Sequence, residues 1–170
     1  MLSTERPIIA DLKSSSLQIA LDALAIVALA AIWGMTIYRY SQLPESIPRH
    51  FNASGEPDAW GSKSIALVLP IVTLVMYASL TILNRVPHRF NYLWTITERN
   101  ARSQYQLARE LLSAVKASFS CIFAYIAWAS LETGLGTRQG LGGWFLPTTV
   151  SATFIILVVY FVRARRAKNS

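Results

Sequence analysis

LQIALDALAIVALAAIWGMTIY, residues 17 to 38, runs for 22 residues with one charged side chain, Asp22. A helix rises about 1.5 Å per residue, so about 20 apolar residues cross a hydrocarbon core of about 30 Å. Three further stretches have the same character, about 64 to 83, 112 to 131 and 144 to 162. The chain has 170 residues, of which 53% are hydrophobic and only 15% charged, the profile of an integral membrane protein. The fold class expected is all-α: a polytopic membrane protein of four transmembrane helices forming one domain over residues 1–170. Arg6 and Lys13 precede the first span in the manner of a secretory signal. The apolar run continues through Trp33 and Ile37, beyond the usual signal length of about 7 to 15 residues, so it is read as uncleaved. Cys121 is the sole cysteine and lies in the third span, where it is expected as a small buried hydrophobe.

Basic residues set the expected orientation, because positively charged short loops stay in the cytoplasm. Arg6 and Lys13, then Arg85, Arg89, Arg99, Arg102 and Arg109, then Arg163, Arg165, Arg166 and Lys168 give eleven on one side. Arg39, Arg49, Lys63 and Arg138 give four on the other. Both termini are therefore expected to be cytoplasmic, with the chain in the bacterial cell (inner) membrane. Trp33, Trp60, Trp128 and Trp144 fall at span ends on the poorly charged side, where amphipathic rings favour the headgroup layer.

The outer connector, Arg39 to Lys63, has 25 residues and contains IPRHFNASGEPDAWGSK at 47 to 63. Loops of this length are commonly functional or disordered. Pro48 and Pro57 restrict the backbone, Gly55 and Gly61 permit positive φ, Asn52 and Asp58 close turns, and Phe51 and Trp60 offer apolar bodies. An ordered extracytoplasmic loop is expected, lying over the bundle mouth. His50, Glu56 and Asp58 are ligand-type residues, but their spacing matches no zinc pattern and the expected site holds no metal. VPHRFN at 86 to 91 echoes IPRHFN. The topology puts His50 and His88 on opposite sides, and shared turn chemistry explains the echo. GLGTRQGLGG at 134 to 143 reads as a flexible turn.

On the inner side, Thr95 and Glu98 fit a capping box, so a helix is expected from about residue 96 into the third span. Its arginines suit an anionic leaflet, and a docking helix for a cytoplasmic protein partner is the alternative. Pro70 is expected to kink the second helix. Asp22 and Lys116 lie at similar depth in the first and third spans. Pairing toward the bundle interior satisfies both, and snorkelling of Lys116 is the rival. Ser113, Ala117, Ser120, Ala124 and Ala127 form a small-residue stripe that admits a close helix neighbour. No nucleophile elbow, phosphate loop or paired-histidine motif occurs, so neither enzymatic activity nor cofactor nor nucleic-acid partner is expected.

LPESIPRHFNASGEPDAWGSK at 43 to 63, with apolar spans on both sides, resembles the signature of the bacterial membrane domain of unknown function carried by SdpI-type immunity proteins. The matching residues are Leu43, Pro44, Ile47, Pro48, His50, Phe51, Asn52, Gly55, Asp58, Gly61, Ser62 and Lys63. PHRFNYLWTITERNARSQYQLARELLSAVK at 87 to 116 is similar to short stand-alone members. The longer immunity proteins carry an additional C-terminal membrane region beyond four spans. The resemblance implies an immunity or receptor role toward an extracytoplasmic peptide or envelope component. Its signature loop, including Trp60, would be the recognition surface. The alternative is a structural or assembly subunit of a membrane complex, using the small-residue stripe as its interface.

Overall fold

The computed structural model describes residues 6–168. Among these residues, four helices are long and apolar enough to cross a membrane. They are α1 (Ser16–Tyr40), α2 (Val68–Leu83, extended at its start by a 3-10 turn over Lys63–Leu67), α3 (Ala101–Gly134) and α4 (Phe145–Arg166). Between α1 and α2 lie two strands, β1 (Ser46–Phe51) and β2 (Pro57–Ser62), paired antiparallel. The expectation of an all-helical chain is thus refined: the long connector folds as a hairpin.

α3 is the central element, packing most extensively against α1 and also against α2, α4 and β1. Small residues permit this closeness. Ala25 and Ala28 of α1 are buried, as are Ser113, Ala117, Ser120 and Ala127 of α3, while Ala124 is half-buried. The stripe thus admits a close helix neighbour within the bundle, which leaves little of it for the external interface of the assembly-subunit alternative. α4 buries only Ala164, and Phe154, Ile155 and Val158 face outward. Such an apolar exterior suits lipid rather than water.

Pro70 does not fall in a helix interior. It is the third residue of α2, where its missing N–H coincides with one of the helix's unpaired first donors, so the reason for a kink disappears. Pro147 occupies the same position in α4. α3 begins at Ala101, five residues after the expected start, because Asn100 and not the Thr95/Glu98 box organises the entry. Thr97 N–H donates to Asn100 Oδ1 at 2.9 Å, and Asn100 Nδ2 donates to Thr95 O at 3.1 Å and Lys168 O at 2.9 Å.

The end of the bundle that holds residues 6–15 and the last turns of α4 is laced together. Tyr105 hydroxyl donates to Pro7 O at 2.9 Å, and Arg109 donates to Leu12 O at 2.6 Å and Ser14 Oγ at 3.1 Å. Arg102 pairs with Asp11 at 3.1 Å, and Arg163 pairs with Glu110 at 2.7 Å. The first turns of α3 are thus covered by the chain's own residues. Tyr92 donates to Pro87 O at 2.9 Å, and burial holds its phenol neutral, well above the ordinary tyrosine range.

Candidate functional site

The hairpin is the candidate site, and its turn is built from Asn52. The Asn52 side-chain oxygen accepts from Ser54 N–H at 2.9 Å and Glu56 N–H at 3.0 Å, while Gly55 takes a φ of +80°. Asn52 Nδ2 in turn donates to Glu56 Oε2 at 3.2 Å, so that carboxylate is engaged within the turn. Asp58 makes no turn, contrary to expectation. It lies 2.5 Å from His50 Nδ1, with the His50 side chain 68% and the Asp58 side chain 42% exposed. Among the described residues no group of three metal-ligating side chains converges.

Strand register explains that pairing. Pro48 opposes Trp60 and His50 opposes Ala59, leaving Arg49 as an extra residue on β1; Phe51 then opposes Pro57, leaving Asp58 extra on β2. Bulges re-aim side chains and break the alternation of faces. Here the second bulge brings Asp58 to His50, and the first displaces Arg49 from the regular pleat. In the sequence Arg49 counts only toward the charge balance; the signal that could have singled it out is its place between the signature residues Pro48 and His50.

The hairpin is fastened to the bundle on several sides. Ile47, with Leu43 and Leu131, forms a buried apolar cluster onto which Met35, Tyr40 and Ile65 pack. Ser130 Oγ donates to Pro48 O at 2.7 Å, Arg39 pairs with Glu132 at 3.0 Å, and Lys63 pairs with Glu45 at 2.8 Å. Leu141 N–H donates to Gly55 O at 2.7 Å, so the 134–143 segment is joined to the hairpin tip and is no free turn. Arg138 organises that segment, donating to Gly140 O and to the Tyr125 hydroxyl at 2.6 Å each, with its guanidinium 4.6 Å from the Trp128 ring centroid. A side chain at Gly140 would collide with Gly55 O, so glycine there allows the two backbones to meet. Trp60 is 49% exposed, and Gly61 opposes Ile47 within the ladder.

A second polar site lies inside the bundle. Lys116 Nζ is 3.0 Å from Asp22 Oδ1 and donates to Thr81 Oγ1 at 3.0 Å, and it sits 4.7 Å from the Tyr77 ring centroid. The Lys116 side chain is 2% exposed and points inward. Its contact with Asp22 is Coulombic, without an aligned hydrogen bond. One turn away on α3, Ser113 accepts from Asn84 Nδ2 at 3.0 Å. Thr81, Tyr77 and Asn84 went unnoticed in the sequence because each is ordinary in an α2 context.

These features define a class: a bundle of membrane-length helices carrying a docked β-hairpin at one end. Residues 26–74 match the model of a domain of unknown function, DUF1648. That match takes in the last part of α1, the hairpin and the first turns of α2. An uncharacterized protein of Archaeoglobus fulgidus is 39% identical over 80 residues, covering 42% of this chain and 44% of that protein. The alignment therefore spans less than half the length of that relative. No solved structure matches.

Proposed function

We propose that the protein is an integral, non-enzymatic component of the bacterial cell membrane, with both chain ends cytoplasmic, whose hairpin faces outward as a recognition cap. Its role in this reading is immunity-like or receptor-like, directed at an extracytoplasmic peptide or envelope component. The observation that carries the proposal is the contrast within the hairpin. Ile47, Pro48 and Gly55 anchor it to the bundle, yet the His50–Asp58 pair and Trp60 stay exposed on its surface. Rigid support beneath exposed polar and aromatic groups is the arrangement that preorganised binding requires. The eleven-to-four asymmetry of basic residues supports the outward orientation.

The test is protection. A sensitive bacterial host expressing the chain is challenged with a panel of membrane-active peptides, including any encoded beside its gene. The wild type is expected to protect against at least one. His50→Ala and Asp58→Ala are expected to abolish that protection while membrane abundance stays within about twofold, because exposed pairs contribute little to stability. Absence of protection across the panel, or loss of protection only in step with abundance, defeats the reading.

A further inference from the structure

The cations at the hairpin end are held by the protein with one exception. Arg39 has Glu132, Lys63 has Glu45, His50 has Asp58, and Arg138 is held by Tyr125 and the 134–143 backbone. Arg49 alone among the described cations there has no hydrogen bond, ion pair or ring contact. It is also the bulged residue of β1. Its stem lies over Gly61, where a Cβ would stand 3.2 Å from Arg49 Cδ, so the glycine makes room for the side chain. Arg49 lines the edge of a slit of about 190 Å³ between the hairpin and the helices, with Phe51, Ile65, Leu69, Ile126 and Leu131 among its walls.

We infer that this slit is a phospholipid site: Arg49 takes the phosphodiester of an anionic lipid, and the start of an acyl chain enters between the hairpin and α2 and α3. The walls from α2 and α3 belong to membrane-length helices near their hairpin-facing ends, the depth at which phosphates give way to hydrocarbon. A guanidinium offers the phosphate two parallel N–H donors, and Arg49, exposed and engaged by no protein anion, has them free to give. Net negative headgroups are preferred because no tethered cation competes with Arg49 for the phosphate. The inference holds for either orientation of the chain and does not depend on peptide recognition.

The experiment uses full-length protein stripped of lipid in detergent, then titrated with phosphatidylglycerol or phosphatidylcholine and read by native mass spectrometry. The wild type is expected to retain one phosphatidylglycerol, bound about tenfold more tightly than phosphatidylcholine. Arg49→Gln is expected to remove that preference, and Ala66→Leu, which intrudes on the slit with Arg49 intact, is expected to weaken retention of both lipids. Thermal melting without lipid checks that each variant is folded; Arg49→Gln should melt like the wild type because it keeps the stem over Gly61 and breaks no hydrogen bond or ion pair. Equal retention of the two lipids by the wild type, or an undiminished preference in Arg49→Gln, overturns the inference.

Discussion

Lys116 shows how one residue constrains its surroundings. An ammonium that is 2% exposed among apolar helices needs compensation, and it receives it from three directions: Asp22, Thr81 and the Tyr77 ring. Removing one member of a buried pair commonly costs about 3–5 kcal/mol, reduced here because the Asp22 side chain is 34% exposed. Asp22→Asn and Lys116→Gln are each expected to lower the melting temperature in detergent, and the double variant is expected to lose less than the sum. The coupling is read from a double-mutant cycle. Strict additivity would mean that the two charges are stabilised independently. Gly134 makes a steric demand instead of an electrostatic one. A Cβ there would lie 2.7 Å from Ile47 Cγ2, so Gly134→Ala is expected to destabilise the hairpin anchor by about 1–3 kcal/mol. Faster proteolysis within residues 46–62, with the helices intact, would report it.

Among the elements, the helices were largely legible and the hairpin was not. Long apolar runs announce themselves because each residue contributes to the same requirement, the thickness of hydrocarbon. β1 lacks that regularity. Its burial runs exposed, buried, buried, exposed, exposed, half-buried, and two bulges interrupt the ladder, so no alternation marks it as a strand. Proline within it argued further against strand. The entry to α3 was misplaced for a related reason. Thr95 and Glu98 have capping-box spacing, but Asn100 reaches both Thr95 O and Lys168 O, and the second of these bonds spans 68 residues. Asn100→Ala is expected to cost about 1–2 kcal/mol and to speed amide exchange in residues 95–104. Unchanged exchange there would show that the local turn holds without the link to Lys168.

For the whole molecule, the two ends differ in what joins them. One end is tied by the segments flanking the bundle, through Arg102, Arg109 and Asn100, and by the Arg163–Glu110 pair between α4 and α3; the other by the hairpin and the 134–143 segment meeting across Gly55. If positive charge keeps the first end inside, a cysteine at Ser54 in a Cys121→Ser background should react with an impermeant thiol reagent on intact cells. One at Glu98 should not. Both positions are exposed in the structure, so access depends on the membrane alone. The opposite labelling pattern would invert the proposed orientation and place the hairpin in the cytoplasm.

The sequence by itself determined the number of membrane-length helices, their approximate limits and the balance of basic residues between the two ends. Those properties are sums over neighbouring residues, so they survive without knowledge of any contact. Which charges find partners is a different kind of property. Arg39 meets Glu132 and Pro48 O meets Ser130 across more than 80 residues of chain, while Arg49, the extra residue at a bulge, meets no partner. Those outcomes depend on helix packing and strand register, since a charge or carbonyl is satisfied by whatever lies within about 3 Å in space, however distant in sequence. Only the tertiary structure decided them.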